Sequence, residues 1–234
     1  MPGRNQYPTG ADLLAFLETA GFSSTLATDT AFLGGDLELY AVAGWRAFNR
    51  EADRQMLAVS GTRSFDRAGI NGVLVLGDDL ASGTTPSVTD QSATLTVGTE
   101  VRFEPLDAVG RGEPYNRARF LRRWGYNYAS PYSIAPLVTI TGAWGYATLI
   151  PEDAWLGMLA LGALALFPLI QQARSSGLDS WQEADMIERY GSDPLAGLRV
   201  GWQNLALMTA GGMGADGKRR YGTYTRLPLA GSVR

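Results

Sequence analysis

The 234-residue chain has no cysteine and no histidine, and its 20 basic residues include one lysine, Lys218. Without histidine there is no Ser-His-Asp triad, imidazole base or histidine-bound metal; without cysteine there is no thiolate nucleophile, iron–sulfur cluster, thiolate zinc site or disulfide. No cofactor is expected, and catalysis would fall to carboxylates, a hydroxyl or Lys218. An excess of one charge is also lacking: 23 acidic residues against 20 basic give a net charge of −3, which argues against wholesale coating of nucleic acid. The opening MPGRNQYPTG lacks the apolar stretch of a signal peptide, so export by that route is not expected, and the missing cysteine fits intracellular assembly.

What is present is enough apolar chain, 45% of residues, for a proper core in one large domain or two small ones. Thr9-Gly10-Ala11-Asp12 has capping-box spacing, and the helix it starts should close at Gly21. Leu33, Leu37, Ala41, Gly44, Trp45, Phe48 and Ala52 recur at helical spacing, with Glu38, Arg46, Arg50, Glu51, Asp53 and Arg54 on a solvated face. From Ser60-Gly61 to about Pro136, glycine, threonine and valine replace the helix formers. There TLTVGTEVRF alternates as a strand, VLVLGDD reads as a short buried strand running into a turn at Asp78-Asp79, and ASGTTPSVTDQS as a polar connection. Val138, Ile140, Trp144 and Tyr146 share strand parity.

Pro151, Glu152 and Asp153 then favour a helix start, and twenty uncharged residues follow, Ala154 to Ala173. That is long enough to cross a bilayer, but Gly157, Gly162, Pro168, Gln171 and Gln172 interrupt it and no basic cluster flanks it, so a buried or interfacial helix is expected and no membrane. A polar helix over WQEADMIERYGS and a short one from Leu195 to Met208 come next. The fold class expected is α+β, a mainly α-helical bundle with a β-rich insertion and an extended C-terminal arm. It forms one composite domain: N-terminal helices over 1–60, the insertion over 61–147, a helical part with the long apolar helix over 148–210, and the arm over 211–234.

The chemical motifs are sparse. The adjacent acids Glu152-Asp153 and Asp78-Asp79 read as helix-start stabilisers and a turn; a hydrolase using Glu152 or Asp79 as acid or base is the alternative. Gly214 to Lys218 lacks the Ser or Thr that a P-loop needs at Arg219. Arginines 117, 119, 122 and 123 surround Phe120 and Trp124, while Lys218, Arg219, Arg220 and Arg226 are interleaved with Tyr221 and Tyr224. Planar cations beside aromatics suit protein interfaces and single-stranded nucleic acid; with a net negative chain the protein interface is favoured.

The order GTRSFDR, RFEPLDAVGRGEPYNRARF and LVTITGAWGYATLIPEDAWLGMLALGALAL resembles the head–tail connector, or adaptor, proteins of tailed bacteriophages. In that family a V-T-G-x-W-G type strand runs into a proline, acids and a long Ala/Leu-rich helix; Trp144, Gly145, Pro151 and Asp153 carry the match, which covers roughly residues 30 to 170. The resemblance implies a non-enzymatic virion protein of the neck, made in the host cytoplasm. It implies a homo-oligomeric ring, commonly a dodecamer, beneath the portal protein, contacting tail or stopper proteins. Genomic DNA would pass through the channel without sequence-specific binding. On this reading Lys218, Arg219, Arg220, Tyr221, Tyr224 and Arg226 form a portal or subunit interface. Another neck or tail-completion protein, a carboxylate-dependent hydrolase and a membrane-anchored protein are the alternatives.

Overall fold

The computed structural model describes residues 4–22, 36–65, 72–90, 93–121, 138–175, 194–213 and 218–226. The polar helix expected over WQEADMIERYGS, Leu33, and Arg122, Arg123 and Trp124 lie outside the described residues. The chain divides into two compact units, Met1–Asp53 with Ile150–Arg234, and Arg54–Leu149.

The first unit holds α1 (Gly10–Thr19), α2 (Leu37–Ala52), α4 (Glu152–Ser175) and α5 (Pro194–Thr209), with a short hairpin of β8 (Gly212–Met213) and β9 (Arg219–Arg220). Thr9 and Asp12 form the capping box reciprocally, Asp12 accepting the Thr9 N–H at 2.8 Å, and Gly21 takes the left-handed conformation after α1. On α2 the helical spacing buries Leu37, Ala41, Gly44, Phe48 and Ala52. Gly44 is needed because α2 and α4 nearly touch there: a Cβ would lie 2.6 Å from the Gly162 backbone nitrogen. A Cβ on Gly157 would likewise stand 2.8 Å from the Phe48 ring. These glycines are therefore contact points of a packed helix. The stretch Glu152–Gln171 is long and apolar enough to cross a membrane, and 61% of that span is buried inside the protein itself.

The second unit contains β1 (Val59–Phe65), β2 (Val73–Leu80), β3 (Ser87–Asp90), β4 (Ala93–Leu95), β5 (Val101–Glu104), α3 (Ala108–Arg111), β6 (Tyr115–Phe120) and β7 (Val138–Trp144). All seven strands join one antiparallel sheet, of which six close into nearly a barrel. β7 is its spine. β1 pairs along its whole length (Val59 opposite Trp144 to Phe65 opposite Val138), β3 pairs with its first half, and Leu80 of β2 meets Trp144. β2 continues through β6 to β5, and β4 hangs on β3. Alternation puts Leu76, Leu80, Val88, Phe103, Ile140 and Trp144 into one core.

This overturns the expected fold class. The protein is not mainly a helical bundle: the described residues form five helices, one of them the short α3 of the second unit, and a mostly antiparallel sheet of which six strands nearly close into a barrel, and the β region is a body with its own core. Three local readings explain the error. ASGTTPSVTDQS contains β3, whose Val88 is fully buried opposite Ile140, a partner far away in sequence. Asp78 and Asp79 lie inside β2, held by Arg63 and Arg54 rather than by a turn. TLTVGTEVRF is two strands, because Gly98 turns the chain at φ 99° and donates its N–H to the Val101 carbonyl at 2.7 Å. The extended arm is corrected as well, since its described part is folded onto the helical unit.

Candidate interaction surface

The helix ends dictate what the last described residues do. An α-helix leaves its final carbonyls without partners. Thr223 N–H donates to the Met208 carbonyl at 2.8 Å, Tyr224 N–H to Thr209 at 2.9 Å, and the Thr225 hydroxyl to Ala210 at 2.9 Å, so the segment satisfies the end of α5. Arg226 N–H donates to the carbonyl of Ala52, the last residue of α2, at 2.8 Å. Gly222 allows the crossing, because a Cβ there would be 2.5 Å from the Thr209 carbonyl carbon. The ring of Tyr224 is buried against Phe48, centroids 6.2 Å apart, and its hydroxyl donates to Asp153 Oδ1 at 2.5 Å, at the start of α4. Residues 222–226 thus clasp one end each of three helices.

The clasp divides the predicted interface residues. Tyr224 is committed to the interior, and Arg226 is half-buried with its backbone on α2. Lys218, Arg219, Arg220 and Tyr221 are exposed on or beside β9, where Arg219 lies opposite Met213 and Arg220 opposite Gly212. Sequence reasoning missed two exposed methionines of this unit: Met213, 66% exposed, lies opposite Arg219 in the hairpin, and Met208, near the end of α5, is 71% exposed. A methionine in a glycine-rich stretch gives no periodic signal; only the hairpin register places Met213 beside Arg219.

The motif residues Trp144, Gly145, Pro151 and Asp153 are not gathered into one site. In the barrel, Trp144 donates its indole N–H to the Gly61 carbonyl at 3.0 Å, and the Arg63 guanidinium lies over its ring at 4.5 Å. Burial there lowers the Arg63 pKa from its ordinary value. Gly145, at φ 148°, donates its N–H to the Asp79 carbonyl at 2.9 Å, and a Cβ would be 2.6 Å from the Ala58 Cα. Next to it Arg54 stacks on Tyr146 at 5.0 Å and reaches Asp79 at 3.5 Å, in a pair whose side chains are only 13% and 4% exposed. In the helical unit Pro151 precedes α4, and Asp153 caps it by accepting the Ala154 N–H at 3.0 Å.

Of the other candidates, Arg119 is paired with Glu104 at 2.6 Å and Arg117 is half-buried on β6. Glu152 lies 3.8 Å from Arg4. Among the described residues no group of three or more His, Cys, Asp or Glu side chains could hold a metal ion.

The chain forms two compact units, one of helices and one built on an antiparallel sheet, and the hairpin residues Lys218, Arg219, Arg220 and Tyr221 are exposed. Compared with family models, curated proteins and solved structures, the chain matches none.

Proposed function

We propose that the protein is a virion structural component, a head-to-tail adaptor that assembles as a ring beneath the portal protein, joins capsid to tail and lets DNA pass. The observation that carries this reading is the segment Val138–Leu166. In it a strand that buries Val138, Ile140 and Trp144 runs into Gly145, and Pro151-Glu152-Asp153 opens a long apolar helix, the order that resembles the phage connector family. The hairpin bearing Lys218, Arg219, Arg220 and Tyr221 supports it as an exposed docking element, and Tyr224 and Arg226 contribute by holding that hairpin.

The test is co-sedimentation with rings of the portal protein encoded in the same genome. Retention on the rings is expected. Deleting 211–234 would be a poor test, because it uncaps α2 and α5. A protein of intact fold that never sediments with the rings contradicts the proposal.

A further inference from the structure

We infer that the free protein pairs with a second copy of itself through strand β1, antiparallel and centred on Thr62, so that the two sheets join into one. Among the described residues β1 pairs on one side only, with β7. An edge strand leaves alternate backbone N–H and C=O groups open along its outer side, and proteins usually blunt such an edge with lysine, proline, a bulge or short length. β1 has none of these: it is seven residues long, without lysine or proline, and its register with β7 runs unbroken from Val59 to Phe65. By contrast β4 has three residues, and β5 has four, with Arg102 and Glu104 among them. The one charge of β1, Arg63, is turned back on its own barrel, over the Trp144 ring and paired with Asp78.

The strand Val59-Ser60-Gly61-Thr62-Arg63-Ser64-Phe65 is complementary to its own reverse, which selects a second copy over an unrelated strand. With a two-fold axis at Thr62, Val59 of one copy lies opposite Phe65 of the other, Ser60 opposite Ser64, Gly61 opposite Arg63 and Thr62 opposite Thr62. Apolar meets aromatic, hydroxyl meets hydroxyl, and the cation meets a residue with no side chain. The same hydroxyl pairing exists within one copy, where Thr62 Oγ1 lies 2.7 Å from Thr141 Oγ1 on β7. Ser60, Thr62 and Ser64 are exposed and Val59 is 57% exposed, so these side chains are available to a partner. Opposed residues share a face of the sheet, so the axis moves only from one residue to the next. At Arg63 it would set the two arginines against each other; at Gly61 it would set Val59 against Arg63 and carry Phe65 past the end of β1. A two-fold contact is closed and does not by itself build a ring, so this dimer is the form of the protein away from the portal and does not rest on the adaptor role.

A chain without cysteine makes the register directly readable. Residues opposed across an antiparallel pair are within disulfide reach. Under mild oxidation Thr62→Cys is expected to form a disulfide-linked dimer about tenfold faster than Ser87→Cys, which is exposed on β3 of the same unit, because the dimer holds the two thiols at high effective concentration. Ser60→Cys and Ser64→Cys, mixed, should link to each other and far less to themselves. Thr62→Lys sets like charges across the axis and should weaken self-association about fivefold in sedimentation velocity, with an unchanged circular dichroism spectrum. A wild-type monomer at every concentration, Thr62→Cys linking no faster than Ser87→Cys, or Ser60→Cys linking to itself as readily as to Ser64→Cys would each overturn the pairing. The protein is used alone, so a failure to bind portal rings leaves this result readable, and the reverse also holds.

Discussion

The Tyr224 hydroxyl donates a hydrogen bond to Asp153 Oδ1 at 2.5 Å, joining the last described segment of the chain to the first turn of the long apolar helix 71 residues earlier. A glycine-rich terminus thereby becomes part of the helical unit: Tyr224 packs on Phe48 of α2 while its backbone closes α5.

Removing that hydroxyl in Tyr224→Phe leaves the ring packing and deletes a hydrogen bond to a charged acceptor. A loss of about 1–2 kcal/mol in unfolding free energy is expected from urea denaturation. Adding Asp153→Asn to it should cost less than the two single losses together, because both remove the same contact.

Two glycines should respond to alanine with opposite signs. Gly44→Ala drives a methyl into the α4 backbone at Gly162 and should destabilise by about 1–3 kcal/mol, more than the gain in helix propensity. Gly201→Ala, in α5 with nothing within 4 Å of the new methyl, should stabilise by about 0.5–1 kcal/mol. Thermal unfolding of both variants checks the pair.

In the barrel, Asp79→Ala leaves Arg54 buried without its partner. The expected cost is about 3 kcal/mol or more, read as a shift in the denaturation midpoint. Substituting both residues with apolar ones of similar volume should recover much of it.

Asp90, at the end of β3, has its carboxyl pKa raised from the ordinary 3.8 by desolvation. The folded state therefore holds this proton more tightly than the unfolded chain. Its contribution favours folding at acid pH and is lost as pH rises from the unfolded pKa through the higher folded one. Asp90→Asn should flatten that part of the stability–pH profile and stabilise the protein at neutral pH, as denaturation between pH 3 and 7 would record.

Features decided within one turn or one strand were legible from the residues alone. The Thr9–Asp12 box, the buried face of α2 and the parity of Val138, Ile140 and Trp144 need only local chemistry and spacing. Features whose partner lies far away were not. Val88 sits in a polar stretch, and it becomes a core residue by lying between Leu95 of β4 and Ile140 of β7, the latter fifty-two residues later. Asp78 and Asp79 look like a turn until Arg63 and Arg54 hold them inside a strand. Gly222 to Arg226 look like loose arm because their hydrogen-bonding partners are the ends of α2 and α5. Reading these distant pairings as an insertion and an arm is what made the chain seem a helical bundle.

The most direct measurement for the adaptor role is negative-stain imaging of the protein mixed with its own portal rings. A second ring of density seated on one face of the portal is expected, present in the wild type and retained in Tyr224→Phe if that variant stays folded. Bare portal rings beside well-folded protein that stays in solution would contradict it.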